Sequence, residues 1–256
     1  MDESNQLNLL SGGIAKLGGI EVHAPKLATI KDLTFKRYSR LTSLITISQM
    51  DLDLFYDEQK IQGETPTPFS YLHSTCLKEP LFFLELQIAF LTYLEKEVVV
   101  GADCFAIEIT DVNGDSKRVE LNESNFHEFQ ALIKSINFTQ PAPEREFNAD
   151  KSDEKFVKIF EEARKKLRLA KERERRRQAM QRGSETNFPD IVSSLCAYGV
   201  GYTLFNVWDL TIYQFYDQLY RNRAKETYEL NMQLLMEGVD KSKLDLQYWM
   251  ADITIK

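Results

Sequence analysis

The side chains that most often carry chemistry are scarce and scattered in this chain. Histidine occurs only at 23, 73 and 127, and cysteine only at 76, 104 and 196. His73 and Cys76 stand one helical turn apart in 73-HSTC-76 and could face the same way, but a zinc ion needs two further ligands that the neighbouring sequence does not supply. Asp51, Asp53 and Asp57 hint at alternating carboxylates. Asp111, Asn113 and Asp115 alternate around Gly114. Neither set completes the twelve-residue calcium loop with its terminal glutamate, and the second reads as turn chemistry. No phosphate-binding glycine loop, dinucleotide fingerprint, nucleophile elbow or H-E-x-x-H pair is present. The residues therefore predict no enzyme: no catalytic set, no cofactor and no metal. An odd number of widely spaced cysteines predicts reduced thiols, most of them in a core.

Charge is concentrated in one place. The segment 164-RKKLRLAKERERRRQAMQR-182 holds ten Lys or Arg and two Glu, a local +8 against −7 for the whole chain, so the remainder carries −15. Arg164, Lys165, Lys166, Arg168, Lys171, Arg173, Arg175, Arg176 and Arg177 form its basic surface. Such a block could neutralise phosphates, yet no aromatic side chain interleaves it to stack bases. Glu161 and Glu162 can pair with Lys165 and Lys166 at helical spacing. The block reads first as a solvated connector helix, then as a surface for an acidic partner, and last as a nucleic-acid site.

Aromatic residues are dense in 205-FNVWDLTIYQFYDQLYR-221. Thr211-Ile-Tyr-Gln214 fits a capping box, in which the threonine hydroxyl takes a free amide of the first turn and the glutamine reaches back. Beyond it, Ile212, Phe215, Tyr216, Leu219, Tyr220, Ala224, Thr227, Tyr228, Leu234 and Leu235 recur at steps of three and four, one stripe on a long helix that Gly238 stops. Core packing against a helix at 189–198 accounts for most of these rings. Trp208, Tyr213 and Tyr220 fall beside the stripe, where aromatic residues often anchor partners. With Phe215 and Tyr216 they are the candidate partner-binding residues.

The elements that must hold these residues are mostly helical. Residues 1–27, broken by Gly12-Gly13, Gly18-Gly19 and Pro25, read as a mobile leader without a secretory signal. A helix face with Tyr38, Leu41, Leu44 and Ile45 follows, then a short helix around Leu52 and Phe55, and a loop at 62–68 where Pro66 and Pro68 exclude a helix interior. Helices around 69–75 and 80–96 come next. The second contains 81-LFFLELQIAFLTYL-94, too short and too charged at Glu85 to cross a bilayer, and reads as buried. The run 97–110 turns to alternation, 112-VNGD-115 is a hairpin turn, and 117-KRVEL-121 is a return strand. Asn122 is placed to cap a helix whose face holds Phe126, Phe129, Leu132 and Ile133. Two prolines and many charges make 139–152 a linker to a charged helix at 153–182, ended by Gly183. A short final helix is expected at 243–250. The predicted fold is mainly α, in the α+β class. A helical domain at 28–138 carries a small β-hairpin, a linker and basic helix occupy 139–186, and an aromatic-rich helical unit spans 187–256.

The stretch 187–249, with its Ile-Val-Ser-Ser-Leu helix and its Asn-Val-Trp-Asp-Leu-Thr-Ile-Tyr-Gln-Phe-Tyr-Asp-Gln core, resembles the end of tail assembly chaperone-like proteins of phages that infect Gram-positive bacteria. Residues 29–48, 81–94 and 121–133 are similar to the same group. The resemblance implies a non-enzymatic protein of the infected cell's cytoplasm. Such a chaperone binds the tape measure protein, keeps its apolar helices soluble and recruits major tail protein as the tube grows. Self-association is compatible with that role, and so is a programmed frameshift, for which 139–183 would be a joint. A structural tail or baseplate protein is the second reading, and a nucleic-acid-binding phage protein using 164–182 the third.

Overall fold

The computed structural model describes residues 1–110, 116–139, 170, 187–199, 201–241, 244, 246, 248 and 250. The chain divides into two compact units. One gathers Met1–Thr46, Phe69–Gln140 and Phe188–Lys256, and the other Ile47–Pro68 and Pro141–Asn187. The fold is mainly helical with two small antiparallel sheets, the α+β arrangement the periodicities predict.

Residues 1–27, expected as a mobile leader, are built into the first unit. Helix α1 (Glu3–Leu10) starts on Asp2, whose carboxylate accepts from the Asn5 amide at 2.7 Å. Strands β1 (Ile14–Leu17) and β2 (Ile20–His23) form a hairpin across Gly18-Gly19, with Gly18 at φ 58. The Asn5 side chain accepts from the Lys16 amide (2.7 Å) and donates to its carbonyl (3.0 Å), which ties α1 to β1. Leu9, Ala15, Ile20 and Val22 are buried. The glycines that looked like punctuation of a loose segment make a tight turn, and short apolar positions around them fill a core.

Helices α2 (Leu27–Leu33) and α3 (Phe35–Ile45) meet at Thr34, a residue at φ 68 that interrupts what reads as one helix. Tyr38, Leu41, Thr42 and Ile45 turn inward on α3. Helix α5 (Pro68–Lys78) leads into α6 (Pro80–Leu94), with proline in the first turn of α6, where no amide is needed. The 97–110 run divides into β3 (Val98–Val100) and β4 (Phe105–Thr110), because the chain reverses at Gly101, whose amide donates to the Cys104 carbonyl at 2.8 Å. A Cβ at Gly101 would stand 2.7 Å from the Cys104 sulfur, so any larger residue there would force the Cys104 side chain to shift. Strand β5 (Ser116–Leu121) completes the β3-β4-β5 sheet, with Ile107 opposite Val119 and Phe105 opposite Leu121. The expected hairpin is therefore two strands of a three-stranded meander; its Asn-Gly turn at 112–115 lies outside the described residues, as does nearly all of the linker and charged helix at 139–186.

Helix α7 (Phe126–Ile136) buries Phe126, Phe129, Leu132, Ile133 and Ile136. Asn122 does not cap it. Its carboxamide oxygen instead accepts from the Ser124 amide (3.0 Å), and Asn125 stands at the N-cap position. An asparagine can satisfy its own turn two residues on, and here that local bond wins. Phe69, Phe90, Phe105, Phe126 and Phe129 meet at centroid distances of 5.3–6.5 Å and form the aromatic centre of the core.

In the second unit, α4 (Gln49–Glu58) carries a complete capping box between Ser48 and Asp51. The Gln49 side chain donates to the Pro66 carbonyl at 3.2 Å and closes the loop after the helix. Asp51 and Asp53, weighed above as alternating carboxylates, serve the cap and a bond from Gln49.

Helices α8 (Phe188–Ala197) and α9 (Ile212–Met236), with one 3-10 turn at Val207–Asp209 between them, pack in the first unit. The aromatic C-terminal region thus shares a core with the N-terminal helices. Gly238, at φ 93, follows the end of α9. The final helix expected at 243–250 falls largely on positions outside the described residues, and those described there are not helical.

Candidate interaction surfaces

The start of α9 positions the aromatic residues, and it is held from three sides. The capping box forms as its sequence predicts: the Gln214 amide donates to the Thr211 hydroxyl at 3.2 Å, and the Thr211 amide donates to the Gln214 side chain at 3.0 Å. Gln214 also donates to the Leu10 carbonyl at 3.0 Å. The backbone on either side pairs with the segment before α2, from Leu27 to Leu210 and from Ile212 to Pro25, both at 2.8 Å.

This anchoring decides which rings are available. Tyr213 and Phe215, expected among the partner-binding residues, are buried. Phe215 meets Phe188 edge-on at 5.7 Å, and Phe188 stacks on Phe35 at 4.2 Å. Tyr213 lies 5.1 Å from Phe138, a residue held at φ 53 whose ring also meets Tyr216 and Tyr220. In sequence Tyr213 falls beside the main stripe, but Phe138 covers that side of the helix, and α8 brings Phe188 against Phe215. Tyr216 and Tyr220 are half-buried and stack on each other. Trp208 is half-buried; its indole donates to the Leu204 carbonyl at 2.9 Å, and the Lys31 ammonium sits 5.4 Å from its ring.

Tyr216 borders a groove of ≈ 220 Å³, also lined by Phe35, Tyr38, Ser39, Thr42, Ser43, Thr46, Lys134, Asn137 and Thr139. Its floor is a closed ring of buried polar groups. Tyr93 donates to Tyr38 at 3.0 Å, Tyr38 donates to the Asn137 carboxamide oxygen, and the Asn137 amide donates back to Tyr93 at 3.0 Å. Thr42 bonds to Tyr93 at 2.6 Å. Burial raises the hydroxyl pKa of Tyr38 and of Tyr93, and pushes that of Tyr216 up to about 12. The three phenols stay neutral well above physiological pH, and those of Tyr38 and Tyr93 act here as hydrogen-bonding groups.

Two exposed apolar features escaped the sequence reading. One is the loop before the 3-10 turn. There Asn206 accepts from the Thr203 amide at 2.7 Å and donates to the Gly201 carbonyl at 3.2 Å, which fixes the loop. Phe205 stands at its tip, 95% exposed, beside exposed Leu204. The other is the outer face of α6. Leu86, Ala89, Phe90, Tyr93 and Leu94 form the inner face, as a buried helix requires, but Leu81 is 79%, Leu84 56% and Leu91 38% exposed. The apolar run 81–94 reads as a buried helix, but Leu81, Leu84 and Leu91 leave its outer side exposed. A heptad count of the run would have separated its two faces; nothing in the spacing around Phe205 marks that tip.

The remaining chemistry-bearing residues are apart. His73 shares a hydrogen bond with the Gly101 carbonyl at 3.0 Å and packs on Phe69 and Phe105. Cys76 is buried, and burial pushes its thiol up to about 12, so it is a poor nucleophile. His23 approaches Glu95 at 3.6 Å. Among the described residues no group of three or more His, Cys, Asp or Glu is placed to hold a metal, and no helix is long and apolar enough to cross a membrane. The nine basic residues from Arg164 to Arg177 lie outside the described residues.

Residues 178–254 match a family described as YomV second domain, a phage-related family. The region so matched is the aromatic one: it holds α8, the Phe205 loop and α9. Neither a curated protein nor a solved structure matches the chain.

Proposed function

We propose that this chain is a phage tail assembly chaperone, which holds apolar helical segments of the tape measure protein and helps major tail protein assemble around them in the host cytoplasm. The phage-related match of residues 178–254 supports the phage setting. The observation that carries the partner-binding part is Phe205, a phenylalanine 95% exposed on a hydrogen-bonded loop within that same region. A fixed, solvent-facing aromatic beside a second apolar side chain loses little conformational freedom when a partner covers it. No residue of the mechanism performs a reaction; capture is by apolar burial, and the acidic exterior keeps the complex in solution.

The test is co-expression with a tape measure protein, reading that protein's solubility and its co-purification. The expected result is a soluble complex that Phe205→Ser with Leu204→Ser weakens at least tenfold. A tape measure protein that stays insoluble, with this chain present in purified particles, would replace the chaperone by a structural tail or baseplate protein.

A further inference from the structure

The outer stripe of α6 has a symmetry that its inner face lacks. Leu81, Leu84, Ile88 and Leu91 follow one another at steps of three, four and three, the spacing of a coiled-coil seam. That series reads the same in both directions about Leu86. Turned end for end, a second copy sets Leu81 opposite Leu91 and Leu84 opposite Ile88, the reciprocal pairing of an isologous two-fold contact. The charges at the ends suit the same orientation. Exposed Lys78 and Glu79 precede the helix, and exposed Glu95 and Lys96 follow it. Antiparallel copies bring Lys78 toward Glu95 and Glu79 toward Lys96, whereas parallel copies would set lysine against lysine. Beside the seam's midpoint, Glu85 lies 3.7 Å from Arg37 and 3.8 Å from Arg40. The Arg40 side chain is exposed enough to serve a second copy's Glu85 as well. A helix apolar on both faces is ordinarily buried on both.

We propose that α6 pairs antiparallel with α6 of a second copy through Leu81, Leu84, Ile88 and Leu91, making the protein a two-fold homodimer. The seam is three turns long, so the dimer belongs with small, reversible interfaces. This inference does not depend on the tail-assembly reading.

Sedimentation over about 1 to 200 µM, the range in which a contact of this size dissociates, tests it. The expected result is a rise from the 29.7 kDa of one chain toward twice that mass, abolished by Leu84→Glu while circular dichroism stays unchanged. Leu84 is already solvent-facing, so the substitution spares the fold. Orientation is read by mixing Leu84→Cys protein with Ile88→Cys protein under mild oxidation, with wild type as control for the native cysteines. The mixture should cross-link more than either variant alone. A wild type that remains monomeric throughout, a dimer that survives Leu84→Glu, or Leu84→Cys that cross-links best to itself would each overturn the proposal.

Discussion

Helices α6 and α9 lie in the same compact unit and invert what their compositions suggest. Helix α6 is almost wholly apolar, yet it leaves a line of leucines in solvent. Helix α9 is mixed, with polar and charged residues among its rings, yet its first two turns bury Ile212, Tyr213, Phe215, Asp217 and Leu219. Even a carboxylate goes inside there: the Arg221 Nε, one turn on, donates to the two Asp217 oxygens at 3.0 and 3.1 Å, a charge-assisted contact that compensates its burial. The difference lies in neighbours. The start of α9 is enclosed by α1, the segment before α2, α8 and Phe138, whereas α6 has α3 and β2 on its inner side. Apolar content says how much a helix could bury, and the surrounding chain decides how much it does.

The sharpest break of this contrast is Phe215→Ala. The ring is fully buried against Phe188 and Tyr216, so its removal should cost about 3–5 kcal/mol of stability. Urea unfolding would show it as a large fall in midpoint. A loss below about 1 kcal/mol would mean that α9 is not seated as described.

The next effect tests the polar floor that joins α6 to α3 and α7. Tyr93→Phe keeps the ring but removes the hydroxyl that Asn137 donates to and that Thr42 and Tyr38 share, for an expected loss of about 1–3 kcal/mol. The same groups predict an alkaline weakness. Burial holds the Tyr38, Tyr93 and Tyr216 hydroxyls above the usual 10.0. Below pH 10 these phenols are neutral in both states and their contribution is complete. As pH rises from 10 toward the value of about 12 for Tyr216, tyrosines of the unfolded chain ionise first, and stability falls. Tyr93→Phe should make that fall shallower. An equal slope in the two proteins would detach Tyr93 from the effect.

Thr211→Ala should cost about 1 kcal/mol, because the capping bond to the Gln214 amide is lost while the backbone bridge to Lys26 persists. That cap is the part of the candidate region most legible in sequence, since capping is a local pattern of four residues. The α7 face, the strand alternation and the mainly helical class were legible for the same reason. What was not legible depends on distant residues. Residues 1–27 looked loose because Asn5 finds Lys16, and Leu10 finds Gln214, only in the fold. Tyr213 and Phe215 looked available because Phe138 and Phe188 are remote in the chain. Phe205 carried no signal, because a single aromatic in a loop has no periodicity.

The smallest effect is expected from Leu84→Ala, and its size should depend on protein concentration. In dilute solution the side chain is more than half exposed, and alanine favours the helix more than leucine does, so the unfolding midpoint should stay at the wild-type value. If α6 faces a second copy, wild type gains stability by mass action as the dimer fills, and the variant gains less. The gap between the two midpoints should then widen steadily from the lowest concentration to the highest. A gap that stays at zero across the range would leave the α6 leucines as solvated side chains. The contrast with α9 would then be one of burial alone, without a partner on the outer face.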